Sequence, residues 1–435
     1  MFSARLSTSY CEENSDKSSA SDVTFRKRLV AAEKTVFDQN GNALCKASLS
    51  AHVQEDSECE SSHYRSFEPN FPIMWSTRYR IAVCIAAGVV FGLAMEKGRV
   101  FEPFNIRNQM LFQRNIMMKM FFSAMATSLL CLTVLSLIPS TRHLFDAARA
   151  NYVCRFKTKG ALTSSLGGWM LGMGMAISGS CPGAVLTQVG AGVKNCEYTL
   201  LGCLVGALIY GLTEKQVIRN TRPQAPAKEV SCDGRAKTSY YRVALPLACV
   251  VAAFVLTVEY VVPWKSELGQ PNLEGSSFLA LYGWPPLVAG MLVGLLQIPI
   301  VIAAEETIGG SSGYCTLVSQ LFSKETLKGI SPYLLSYKYG LDNWWQVFYI
   351  GGAVGGAFLS STLSGTYGSA SEVSAISGFT GAFIMVYGSR LAGGCTSGHG
   401  LSGIGTLSVF SFYTVPAMFA GGIATGVVMK LAGVF

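Results

Sequence analysis

Gly167–Gly183 reads GGWMLGMGMAISGSCPG, and Gly381–Ser397 reads GAFIMVYGSRLAGGCTS. Aligned on the cysteines, Gly167 falls on Gly381, Gly174 on Gly388, Gly179 on Gly393 and Cys181 on Cys395. In both, a Gly-rich apolar run ends in small residues, a cysteine and a Pro/Gly/Ser break. Glycine lets the backbone turn and lets another group approach closely. Pro182 stops helix hydrogen bonding. A weaker echo lies upstream, where Ala87–Leu93 reads AGVVFGL and Ala289–Leu295 reads AGMLVGL. The echoes are offset by about 200–214 positions. Chance likeness competes with a true repeat, because small residues are the usual packing surface of membrane helices. The shared cysteine register and the matching upstream motif favour the repeat.

Around these stretches the chain is built for lipid. Of 435 residues, 50% are hydrophobic and 14% charged, against about 25% charged in soluble domains. That balance excludes most soluble and disordered readings. Apolar stretches long enough to span a bilayer are Tyr79–Met95, Ile116–Ile138, Ala161–Ser178, Glu197–Thr213, Ala244–Val262, Phe278–Ala303, Trp345–Leu363, Val373–Leu391 and Ser411–Lys430. Four shorter pieces follow candidate spans: Val100–Leu111, Gly183–Val193, Ile308–Leu321 and Ser397–Ser408. Pieces of that length enter a membrane only as broken or re-entrant segments inside the protein.

The expected fold is thus an all-α polytopic membrane protein of about nine spans plus about four re-entrant half-helices. A polar, disordered tail covers 1–76, the first repeat 77–213, a basic loop and connecting span 214–277, and the second repeat 278–435. The odd connecting span gives the halves opposite polarity, the arrangement of inverted-repeat transporters with a midplane site. Residues 1–70 carry 11 acids and 8 bases, and neither a signal peptide nor a presequence is read there. Cys11, Cys45 and Cys59 in the tail read as free thiols. Loop charge (Arg142 to Lys159 and Lys215 to Arg242) places the N-terminus inside. One loop misfits: Glu96–Asn115 carries Lys97, Arg99, Arg107 and Arg114 on the outer side.

Chemistry concentrates in the breaks, at Gly179, Cys181 and Gly183 in the first and Gly394, Cys395 and Ser397 in the second. A helix ending at the cysteine and restarting after the break would offer free N–H groups to an anion. A thiol is a weak donor on a soft atom, suited to a sulfur anion. Cys84, Cys131, Cys196, Cys203 and Cys249 read as packing residues. Cys315, in GGSSGYCT, stands between the two classes. Arg390 is a costly intramembrane cation that either attracts the anion or locks helices by an ion pair. His399 reads as a helix-end residue rather than a proton carrier. Glu305 and Glu306 read as a solvated helix end, with a coupling proton or a pair with Arg390 as alternatives. Lys119 and Glu259 read as snorkelling residues. No zinc ligand grouping and no phosphate loop occurs, so neither a cofactor nor direct ATP driving is expected.

GSRLAGGCTSGHGLSG, with SGSCPG before it and GGSSGYC between, resembles the YeeE/YedE sulfur-transport family over roughly Arg78 to Phe435. Glu96–Met110 is similar to its eukaryotic members. The resemblance implies a membrane protein that imports thiosulfate along an hourglass path, cysteines passing the ion by S–H···S contacts. Carried over, those are Cys181 and Cys395, with Cys315 third. One departure is that Val100–Phe101 stand where many members have a cysteine in the first half. The implied partners are thiosulfate or a similar small sulfur anion, the lipid bilayer and a cytosolic sulfurtransferase receiving the ion; no nucleic acid is expected, and a plasma membrane fits better than an organelle. The competing readings are a membrane-embedded sulfurtransferase or redox protein carrying a cysteine persulfide, and a purely structural membrane protein.

Overall fold

Ser76 opens the helical part of the chain, its side chain accepting the Tyr79 N–H at 3.3 Å, a serine N-cap. The computed structural model describes Val36–Phe37, Ala43–Leu44, 76–156, 159–221, 231–268 and 280–433. The chain divides into Met1–Asn70 and Phe71–Phe435. Of the first unit, only the antiparallel pair Val36–Phe37 with Ala43–Leu44 is described; Cys11, Cys45 and Cys59 lie outside the described residues.

The second unit is helical. Its first half runs α1 (Thr77–Lys97), α2 (Pro103–Met110), α3 (Ile116–Leu137), α4 (Pro139–Cys154), α5 (Ala161–Ser178), α6 (Ala184–Gly190) and α7 (Cys196–Thr221). The short α8 (Cys232–Ala236), the long α9 (Tyr240–Val261) and the short α10 (Trp264–Leu268) follow. Next come α11 (Pro286–Leu295), α12 (Gln297–Ala304), α13 (Ser311–Ser319), α14 (Lys324–Ile330), α15 (Pro332–Ser336), α16 (Leu341–Leu363) and α17 (Ala375–Ala392). A π-helical turn, Gly398–Gly403, and α18 (Val409–Leu431) close the unit. Among the described residues, six helices are long and apolar enough to cross a membrane: α1, α3, α7, α9, α11 with α12, and α18. Proline starts α2, α4, α11 and α15, where its missing N–H costs nothing.

The packing pairs come in twos. α1 lies on α16 and α11 on α3; α18 lies on α5 and α7 on α17; α5 and α17 cross each other. Glycine sets these distances. A Cβ on Gly88 or Gly92 would sit 2.1 and 1.9 Å from the carbonyl oxygens of Tyr349 and Ala353. A Cβ on Gly290 or Gly294 would sit 2.4 and 2.6 Å from those of Met120 and Ala124. So the two copies of AGxxxGL do the same work on two different partners. At the central crossing, Gly167 abuts Ala392 and Gly381 abuts Ser178; Gly174 abuts Met385 and Gly388 abuts Leu171. Each such contact is the other moved by 214 positions. Backbone contact of this kind replaces the hydrophobic drive that helices lack in lipid.

Four expectations need correction. The span read at Phe278–Ala303 is shorter: the membrane-length helix runs Pro286–Ala304, with a turn at Leu296 between α11 and α12. The broken helices do not reach their cysteines. α5 ends at Ser178 and α17 at Ala392, because Gly179 (φ 60) and Gly393 (φ 96) turn left-handed and stop them. Lys119 does not snorkel: it is fully buried, with Glu259 at 3.0 Å and Glu267 at 2.8 Å. Two carboxylates and the Val262 carbonyl supply what water would. Glu306 pairs with Arg155 at 2.7 Å, leaving Arg390 to other partners.

The bases of the misfitting loop all have partners. Lys97 and Arg99 are buried against Glu96, and Arg99 also meets Glu102. Arg107 donates to the Ile177 carbonyl at 2.6 Å, and Arg114 to the Glu267 carbonyl. These bases are held by partners within the protein.

Candidate functional site

After α5 the chain turns at Gly179, runs through Ser180–Gly183 and restarts as α6. Gln188 pins this turn, its side-chain N–H groups donating to the carbonyls of Gly179 (3.0 Å) and Phe101 (2.8 Å). The Cys181 sulfur accepts the Ala184 N–H at 3.3 Å. Tyr314, from α13, donates to the Pro182 carbonyl at 2.7 Å, so the first break is fastened from the second half of the chain.

The second break repeats the turn with other neighbours. Gly393 and Gly394 lead to Cys395, and helix resumes at Thr396. The Cys395 sulfur lies 3.3 Å from the Ser397 hydroxyl. Backbone N–H groups of Gly398, Gly310 and Ser311 also reach it. Gly310 and Ser311 begin α13, so this thiol faces a helix N-terminus, where backbone donors are unspent. Thr396 donates to the Met175 sulfur at 3.3 Å. His399 is buried, its Nδ1 sharing hydrogen bonds with Ser411 (3.0 Å) and Tyr152 (3.5 Å). These bonds tie the second break to α18 and α4.

A cavity of about 60 Å³ lies between the breaks. Cys181 and Gly183 line it from one side, Thr396 and Ser397 from another. Met95, Met117 and Met120, with Phe91 and Phe121, share its remaining wall with Val100, Ala124, Val293 and Leu401. Thioether sulfurs and aromatic edges make a polarizable lining. Cys181 is 7% exposed and borders the cavity; Cys395 is 1% exposed and sits behind Ser397. The two cysteines are close enough to act on each other electrostatically.

Cys315 is fully buried, within reach of the Tyr333 hydroxyl and the Arg390 charge. Arg390 spreads its donors over hydroxyls: Tyr333 at 2.8 and 2.7 Å, Tyr337 at 2.7 Å, Ser311 at 3.2 Å and Ser312 at 3.3 Å. Among the described residues it has no carboxylate partner, so its charge is solvated but not neutralised. Ser311 thus touches both the Arg390 side chain and the Cys395 sulfur.

The residues read from sequence therefore divide. Gly179, Cys181, Gly183, Gly394, Cys395, Ser397 and His399 gather at the two breaks, while Cys315 and Arg390 form an adjoining cluster. Tyr314, Tyr333, Tyr337, Ser311 and Gln188 were not read as site residues. Tyr314 and Ser311 lie in the same GGSSGYC string as Cys315, and that string was the available signal. Cys203, read as packing, hydrogen-bonds Tyr314 and lies near Cys181. The ten described cysteines are free thiols. Among the described residues no His/Cys/Asp/Glu group has the geometry to hold a metal.

Comparison with known proteins supplies the context. The thiosulfate transporter TsuA of Escherichia coli (strain K12) is 21% identical over 334 residues, covering 73% of this chain and 85% of that protein. The thiosulfate transporter TsuA of Spirochaeta thermophila is 24% identical over 353 residues, covering 75% of this chain and 92% of that protein. The sequence profile described as Sulphur transport matches residues 97–424. With six membrane-length helices, the protein is an integral membrane protein, and the chain belongs to the Sulphur transport family.

Proposed function

We propose that this protein imports thiosulfate, or a related soft sulfur anion, along a central path formed by Cys181, Cys395 and Cys315 with the half-helix ends beside them. The observation that carries the reading is the pair of matched breaks. Two thiols stand in one register, Cys181 on the wall of a small cavity and Cys395 beside its Ser397 wall, in a chain whose relatives are named thiosulfate transporters.

In this reading nine helices cross the bilayer, α5, α16 and α17 joining the six apolar ones. 77–213 and 278–435 are inverted repeats, and α9 is the odd span between them. The exchange of packing partners at the central crossing supports that symmetry. The ion enters the cavity, meets Cys181, passes Ser397 and Cys395, and leaves by Cys315 and Arg390. Each thiol donates a weak hydrogen bond and no site binds tightly enough to stop the ion. The Arg390 charge draws the anion on. We place the N-terminus inside and the protein in the plasma membrane, with a cytosolic sulfurtransferase as receiver.

The test is uptake of labelled thiosulfate by wild type and by Cys181→Ala, with sulfate and sulfite as competitors. Thiosulfate uptake resisted by sulfate and lost in the variant is expected. Equal uptake by both proteins would sink the thiol path.

One observation favours a second reading. The ring of donors around Cys395 would stabilise a thiolate. That thiolate could take the outer sulfur of thiosulfate, forming a persulfide as the S–S bond breaks and sulfite leaves with the electron pair. Mass spectrometry of the protein after thiosulfate exposure decides: a stable added sulfur on Cys395, with sulfite released, favours transferase chemistry over transport.

A further inference from the structure

The two broken helices present an electrostatic problem. α5 and α17 both point their C-terminal ends at the cysteine segments. A helix C-terminus carries about half a negative charge, so each of these ends repels an anion beside it. Four residues before each cysteine stands an equivalent carbonyl, Ile177 in α5 and Leu391 in α17. Each is taken by a cation from elsewhere in the chain.

Arg107, on α2, donates to the Ile177 carbonyl at 2.6 Å. Its Nε lies 3.2 Å from where a Cβ on Gly179 would be. Lys159, just before α5, donates to the carbonyls of Arg390 and Leu391, the latter at 3.0 Å. Its Cδ lies 3.6 Å from where a Cβ on Gly393 would be. The two cations occupy equivalent places but come from non-equivalent sequence positions, so their match is not inherited from the repeat. Burial and the like charge of Arg390 push the pKa of the Lys159 ammonium down to about 7, with Glu214 pulling the other way.

We propose that Arg107 and Lys159 are matched cationic caps. Each ties down the carbonyl end of one broken helix and reverses the sign of its potential beside the thiol. A protonated cation against that half leaves about half a positive charge at its end, the Lys159 end being the one that loses it as pH rises through about 7. A small divalent or monovalent anion therefore meets a favourable potential on both sides of the cysteine pair. Both are positioning residues that also set the sign of the charge the path accepts. The proposal rests on the transport reading above.

Glutamine separates the two roles, because it keeps an N–H donor for the carbonyl and carries no charge. The experiment compares Arg107→Gln, Lys159→Gln, Arg107→Met, Lys159→Met, Arg107→Lys and Lys159→Arg with wild type. It measures thiosulfate uptake kinetics in proteoliposomes and thermal melting of the purified full chain. The expected result is a KM raised about tenfold or more in both Gln variants, with melting as in wild type. The charge-preserving variants keep the wild-type KM, and the Met variants also melt lower. Gln variants with wild-type KM overturn the charge role; Met variants that melt with wild type overturn the caps. A wild type that carries no thiosulfate overturns the transport reading instead. The caps then stand or fall on melting alone, where Met must melt below Gln.

Discussion

The break at Cys181 and the break at Cys395 share a register and a left-handed glycine turn but not a microenvironment. Cys181 borders the cavity, and the backbone N–H groups of Ala184 and Gly183 reach its sulfur. Cys395 is behind Ser397, and several donors converge on its sulfur. After Cys181 the chain resumes as ordinary helix, whereas after Cys395 it widens into a π turn. One sequence motif thus frames two different thiols, one bordering the cavity and one shielded among hydrogen-bond donors. What differs is supplied by the opposing segments: the α6 restart for one, the start of α13 for the other.

The largest expected effect is on uptake. Removing either thiol deletes a hydrogen bond to a charged ion, worth roughly 1.5–3 kcal/mol, so Cys181→Ala and Cys395→Ala should each lower thiosulfate uptake about 10- to 100-fold. Serine should separate them. Cys395→Ser keeps a donor in a shell already built for an anionic sulfur and is expected to retain more activity than Cys181→Ser, and the reverse order would break the comparison. Labelling comes next. A small membrane-permeant thiol reagent should modify Cys181 well before Cys395, as peptide mass spectrometry reads out, and thiosulfate should protect Cys181.

Stability effects are smaller. Gly179→Ala and Gly393→Ala both force a side chain into positive φ, a cost of about 1–2 kcal/mol. The added methyl meets Pro103 in the first case and the Phe156 ring in the second. Gly393, at φ 96, lies further from the left-handed region open to alanine, so its variant should melt lower than that of Gly179. The smallest effect belongs to Cys249→Ser on the exposed face of α9. Uptake there should match wild type, and a loss would mean that the thiols outside the breaks also matter.

Much of the fold was legible because lipid imposes one rule: the backbone must satisfy itself in helices, and those helices must be apolar. Ala161–Ser178 matches α5 residue for residue, and Ile116–Ile138 exceeds α3 by one. The breaks were legible because glycine and cysteine recur in one register. The division between α11 and α12 at Leu296 was passed over although the sequence carries its cause: Pro299 has no N–H for the Leu295 carbonyl and crowds it. The Arg390 shell was invisible for another reason. Its hydroxyls come from 311, 312, 333 and 337, far from Arg390 in the chain and without pattern. Lys119 was misread because span-end lysines usually reach water, while here α10 folds back and brings Glu267 to it.

The central crossing has a mechanical consequence. Where α5 meets α17, backbone touches backbone at Gly167, Gly174, Gly381 and Gly388. Side chains can change rotamer to absorb a shear, but main chains in contact cannot. The crossing therefore acts as a rivet rather than a bearing, and Gly179 and Gly393 begin immediately beyond it. The two cysteines are mounted on a fixed frame, with their spacing insulated from movements of the outer helices. Any ion that passes between them does so through small shifts of Ser180–Gly183 and Gly394–Ser397 around that frame. On the proposed path, throughput would then depend on a few loop torsions and not on rocking one half of the protein against the other.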